Sequence, residues 1–176
     1  FPLPAGDGVV RSVLQMLVEE AVDSGLEHVG VICDEETEQL CRRHFAPPPE
    51  LRVRLEADPA TAAELERVKA LGRRIDYLRQ DSPLGLGHAV WCSREWTDGE
   101  PFLLLMGDHV FISHAERRCA RQVLDAWRGH SIAALHAGGP ERLTRYGLAR
   151  GRLDGGRRVE ITGFVEKPTL ERARDL

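Results

Sequence analysis

Five consecutive apolar residues, Phe102-Leu103-Leu104-Leu105-Met106, most constrain what this chain can fold into. Side chains of a strand alternate between its two faces, so a run with no polar position must be covered on both sides. That condition predicts a strand inside a layered α/β domain. Two more strand-like runs share the character, His28 to Cys33 and Ile75 to Arg79. A further one is expected over Ser131 to His136, and Tyr146 to Val165 reads as strands joined by the turn Asp154-Gly155-Gly156.

Helical patterns separate these runs. Val10, Val13, Leu14, Leu17, Ala21 and Val22 recur at helical spacing over Val9 to Ser24, and Gly25 stops the pattern. Glu35 to Phe45 is helical and Pro47-Pro48-Pro49 breaks it. Thr61 to Leu71 reads as a charged, alanine-rich surface helix, a solvated excursion. Helices are also expected from the loop after Arg79 to about Trp96, and from His114 to Trp127. Alternating helices and apolar strands argue for a Rossmann-like, mostly parallel sheet with helices on both faces, forming one domain over residues 1–176. Ligands of such sheets sit beyond the carboxyl ends of the strands, which selects Asp34-Glu35, Gln80 to Gly87, Gly107-Asp108-His109 and the segment after His136.

Charge and cysteine content narrow the classes of function. A net charge of −4 gives no global basic field for a nucleic acid polymer. No apolar run approaches the roughly 20 residues that span a bilayer, and FPLPAGDG lacks the charged and apolar regions of a signal peptide. Cys33, Cys41, Cys92 and Cys119 form no CxxC and no Cys/His ligand pattern, so reduced thiols in the cytoplasm are expected. Of the 24 basic residues only Lys69 and Lys167 are lysines, which makes each lysine worth notice.

Four places carry residues suited to chemistry. Asp108, directly after the apolar run and a glycine, suits a Mg²⁺ ion that takes one or two carboxylates and completes its shell with phosphate and water; it suits a turn cap equally well. Phe164-Val165-Glu166-Lys167-Pro168 brings an acid and a base to the end of a strand. Adjacent strand residues face opposite sides, so a joint role needs the strand geometry to break there. Arg145-Tyr146-Gly147 offers a glycine that lets a ring pass the backbone, or serves only a turn. In Gln80-Asp81-Ser82-Pro83-Leu84-Gly85-Leu86-Gly87 the glycines serve a turn, or bare a backbone on which a flat base lies, with the Gln80 amide reading its edge. His109 and His114 have no third ligand at a suitable spacing, so no zinc site is expected. GxSxG, HExxH and Walker patterns do not occur.

YLRQDSPLGLGHAV, PFLLLMGD, RYGLARG and GFVEKP, in this order and at these distances, resemble the bacterial UTP–glucose-1-phosphate uridylyltransferases, and LVEEAVDSGLEHVGVI fits them too. The likeness runs from about Leu14 to Pro168. It implies a sugar-1-phosphate nucleotidyltransferase, in which glucose 1-phosphate attacks the α-phosphorus of UTP in line and pyrophosphate leaves. It also implies roles by position. Gln80 and the Gly85 backbone would read uracil, and Asp108 would be catalytic as a Mg²⁺ ligand. Gly147 would lie beside the glucose, Glu166 would hold its hydroxyls, and Lys167 would contact its phosphate, also as a catalytic residue.

The sequence departs from that family in three respects. The glycine-rich GxGTR-type loop and the lysine of a following PK pair have no counterpart before Lys69, and Asp7-Gly8 is placed before the family's first long helix. The family's GDD reads Gly107-Asp108-His109. A later metal-binding aspartate has no counterpart beyond Pro168. The expectation is therefore a domain incomplete at both ends, whose apolar sheet edge favours self-association. The alternatives are a non-catalytic homologue that binds sugar nucleotide or an active partner subunit, and a nucleotidyltransferase using another base or sugar.

Overall fold

The computed structural model describes residues 2–5, 8–139 and 143–174. Asp7 of the Asp7-Gly8 pair lies outside them. The chain divides into two compact units, residues 1–132 and 133–176, and each is described by itself.

In the first unit, β1 (Pro2–Pro4) pairs antiparallel with β2 (Val10–Ser12). The helix expected from Val9 therefore begins later, as α1 (Val13–Asp23), because Val10–Ser12 is held in a ladder and the Ser12 hydroxyl caps the helix by accepting from Gln15 N. Gly25 follows with φ +97, as a helix stop requires. Then come β3 (Val29–Cys33) and α2 (Glu35–Phe45), the latter capped by Asp34. The segment continues through α3 (Pro49–Leu55), α4 (Pro59–Gly72) and β4 (Ile75–Arg79). β3 and β4 pair in parallel, Val29 opposite Ile75 through Cys33 opposite Arg79.

The pleat of this pair sorts the core. Val29, Val31, Ile75 and Tyr77 face α1, α2 and α4, where Val18, Phe45, Val68 and Leu71 are buried. α4 is thus not a solvated excursion: Leu65, Val68 and Leu71 lie on one side of it and are 5%, 8% and 6% exposed. Its charged residues occupy the outer side, which is why its composition reads as surface. A buried polar network ties the same helices together. Arg11 Nε lies 3.4 Å from Glu19 and 3.3 Å from Glu64, and Gln15 Nε2 donates to both carboxylates.

On the opposite face of the pair, α5 (Leu86–Cys92) and α6 (Arg94–Thr97) cover Gly30 and Leu78. They are two short helices interrupted at Ser93 rather than one. A Cβ on Gly30 would meet the Trp96 ring at 3.2 Å, and Trp96 Nε1 donates to Asp76 at 3.0 Å. The expected layering of helices on both faces of a parallel pair is therefore present.

Two expected strands are corrected. Phe102–Met106 and Ser131–His136 carry no ladder among the described residues. The apolar run instead walls a cavity of ≈800 Å³ lined also by residues of β3, β4, α1, α5 and α6. The expected cover on both faces is absent too: Phe102 and Leu104 are 54% and 44% exposed, so apolarity at every position supplied neither a backbone partner nor a second covered face. The helix expected from His114 is α7 (Cys119–Ala126) only; Glu20 Oε1 accepts from Ala120 N at its start. In the second unit β5 (Leu148–Leu153) and β6 (Val159–Val165) form the expected antiparallel hairpin, with a register shift at Arg150/Gly151, and α8 (Leu170–Arg174) follows.

Candidate functional site

Gln80 is the first residue past β4, and its N–H extends the parallel ladder by donating to Cys33 O at 3.0 Å. This bond fixes the side chain at the carboxyl end of the pair. The chain then bends through Asp81 and Ser82 and reaches Gly85 at φ +97 and ψ 178, a conformation open to glycine and strained for other residues. A Cβ on Gly85 or Gly87 would meet no atom within 4 Å, so conformation, not crowding, demands glycine at 85, and the backbone there is bare to solvent. Gly85 O accepts from Ala89 N at 3.1 Å and from Gln80 Nε2 at 3.3 Å. Gln80 Nε2 also lies 3.0 Å from His88 Nδ1. The structure thus brings Gln80 and Gly85 together. It adds His88, which sequence reasoning missed because a histidine in the first turn of a short helix reads as surface.

Asp108 stands in a tight turn closed by His109 N donating to Met106 O at 3.1 Å. Its carboxylate is 81% exposed and lies 3.9 Å from His109 Nε2. No group of three or more His, Cys, Asp or Glu side chains that could hold a metal occurs among the described residues. One hard, accessible carboxylate nevertheless fits Mg²⁺, which keeps several waters and takes phosphate oxygens as its other ligands.

In the second unit, Gly147, Phe164 and Glu166 converge. A Cβ on Gly147 would overlap the tip of the Phe164 ring and lie 2.8 Å from Glu166 Oε2, so this glycine is needed for close approach. The ring that passes the Gly147 backbone is that of Phe164, whose place opposite Ala149 follows from the hairpin register. The strand ends at Val165, and Lys167 takes φ +40, a left-handed backbone uncommon for a residue with a side chain. That turn breaks the two-sided alternation, and Lys167 Nζ sits 3.8 Å from Glu166 Oε1 with both side chains mostly exposed. Acid and base therefore share a side, as a joint role requires.

A parallel pair layered by helices, with polar loops at the carboxyl ends of its strands, is the architecture of a nucleotide-handling α/β domain. Residues 3–176 match the family model for nucleotidyl transferases, and the chain belongs to that family. It is 37% identical over 164 residues to the UTP–glucose-1-phosphate uridylyltransferase of Bacillus subtilis strain 168, covering 91% of this chain and 55% of that protein. It is 32% identical to the UTP–glucose-1-phosphate uridylyltransferase YngB of the same organism, over 94% of this chain and 56% of the relative. The crystal structure of a UDP-glucose pyrophosphorylase complexed with UDP-glucose superposes with a TM-score of 0.77 at 25% identity, covering 96% of this chain and 61% of that one. The chain spans about half the length of the curated relatives it matches. No helix among the described residues is long and apolar enough to cross a membrane.

Proposed function

We propose that this protein is a sugar-1-phosphate nucleotidyltransferase that joins glucose 1-phosphate to the uridylyl group of UTP and releases pyrophosphate. The observation that carries the reading is the 37% identity to a uridylyltransferase over 91% of the chain. The Gln80–Gly85 edge and the Glu166–Lys167 turn support it with side chains suited to a base and to a sugar phosphate. In this reading the Gly85 backbone and the Gln80 amide hold the base. Glu166 accepts bonds from sugar hydroxyls, and the Lys167 ammonium attracts the attacking phosphate as a mobile point charge. A phosphate oxygen of the sugar forms a bond to the α-phosphorus as the bond to the pyrophosphate oxygen breaks, a displacement that depends on alignment and charge neutralisation. Mg²⁺ on Asp108, when bound, would neutralise charge on the phosphate oxygens. The four thiols are free, which suits the reducing cytoplasm proposed as its setting.

The test is Mg²⁺-dependent pyrophosphate release by the full-length gene product, with UTP and a panel of sugar 1-phosphates. Release with glucose 1-phosphate is expected, and Lys167→Ala should lower kcat/KM at least tenfold with an unchanged melting temperature. No release with any sugar overturns the catalytic reading. UDP-glucose binding without turnover would assign a sugar-nucleotide-binding role instead.

A further inference from the structure

The Gly85 carbonyl has no proton to donate, so the Gln80 atom 3.3 Å from it is the amide nitrogen, which fixes which way the carboxamide faces. The same nitrogen lies 3.0 Å from His88 Nδ1. An amide nitrogen only donates, so Nδ1 accepts, and the ring proton belongs on Nε2. Nε2 faces Cys92 Sγ at 3.9 Å, a weak acceptor one turn further along α5. Both amide hydrogens of Gln80 are thereby used. Among the described residues no donor reaches its Oε1.

We propose that His88, protonated on Nε2, is a positioning residue that locks the Gln80 carboxamide with Oε1 as its free polar atom, and thereby selects a base presenting an N–H over one presenting a lone pair. The proposal rests on the uridylyltransferase reading and assigns a determinant of its base choice. A fixed acceptor matches the N3–H of a uracil-type imide. Against cytosine it meets the N3 lone pair. An amide free to rotate relieves that repulsion by presenting its NH₂ group, so glutamine alone discriminates weakly. With Gly85 O requiring the NH₂, and His88 Nδ1 requiring it too in the Nε2-protonated form, rotation sets the carbonyl against Oε1 and obliges His88 to move its proton off Nε2. His88 therefore converts an ambiguous side chain into an acceptor, and unpaired polar groups are what make such discrimination large.

Titration calorimetry of the protein with UDP-glucose and with CDP-glucose tests this in wild type, His88→Ala and His88→Asn. Asparagine can offer a side-chain oxygen near the place of Nδ1. The preference for UDP-glucose should fall at least tenfold in His88→Ala, through weaker UDP-glucose and stronger CDP-glucose binding, and return in His88→Asn. An unchanged preference in a folded His88→Ala overturns the role of His88 and leaves the uridylyl reading standing. If the wild type binds neither nucleotide sugar, both fall. A measurement that needs no variant is the ring ¹⁵N spectrum of the wild type: a proton on Nε2 is expected, and a proton on Nδ1 overturns the lock.

Discussion

Cys33 ends β3 in the layer between sheet and helices, and burial is the main reason its thiol is pushed from 9.0 up to about 11, with Cys41 and Glu38 adding to the effect. Tyr77, on the neighbouring strand, is pushed from 10.0 up to about 12, again chiefly by burial, although the Arg42 guanidinium 4.4 Å from its ring centroid pulls the other way. In both cases the folded state holds its proton more tightly than the unfolded chain. Below about pH 9 neither group costs anything. As pH rises from about 9 to 11 for Cys33 and from about 10 to 12 for Tyr77, the unfolded chain loses the proton first and stability falls. Thermal melts under reductant should therefore drop steadily across this window, and Tyr77→Phe should flatten the upper part of the fall. A melting temperature flat to pH 11 would contradict the burial of both groups. Single residues were unevenly legible in the sequence. Gln80, Gly85, Glu166 and Lys167 were singled out as candidates by residue type and order. The left-handed turn at Lys167 and the His88–Gln80 contact were not, because backbone dihedrals and cross-turn distances leave no mark on composition.

Among the elements, α4 carries the sharpest consequence. Leu71 is 6% exposed and packs with Val18, Phe45 and Ile75, so Leu71→Ala opens a cavity where α4 meets α1, α2 and β4. The expected cost is roughly 2–5 kcal/mol, read as a lower urea midpoint with an unchanged slope. A cost below about 0.5 kcal/mol, typical of surface positions, would return α4 to the solvent. The strands and helices with a complete local signal were legible. α2 runs from its Asp34 cap to Phe45 before the triple proline, β4 occupies its five expected residues, and the β5–β6 hairpin turns at Asp154-Gly155-Gly156. What failed needed partners distant in sequence. Leu65, Val68 and Leu71 form a narrow stripe that charged neighbours mask, and Phe102–Met106 has the apolarity of a central strand without a ladder beside it. Local pattern misjudged cover in both directions, since Phe102 and Leu104 stay exposed while Leu65, Val68 and Leu71 are buried; only the assembled chain decides which faces are covered.

At the scale of the molecule, burial is concentrated in residues 1–132. Val18, Phe45, Val68, Leu71 and Ile75 form the core there, and the hairpin of residues 133–176 leaves Leu153, Ile161 and Phe164 exposed. Cooperative stability therefore belongs to the first unit, and local opening of the second is expected to be easier. The nearly lysine-free composition has a practical side. Lys69 is held 2.5 Å from Glu66 and its side chain is 28% exposed, whereas Lys167 is 67% exposed and only loosely paired. A limiting dose of an amine-acylating reagent should modify Lys167 ahead of Lys69, as peptide mass spectrometry would show. Equal modification would mean that the Lys69–Glu66 pair is open in solution. Within these 176 residues Lys167 is the more accessible of the two lysine amines, and it stands at the place where a sugar phosphate is proposed to bind. The rate of tagging there would report occupancy without altering the sequence.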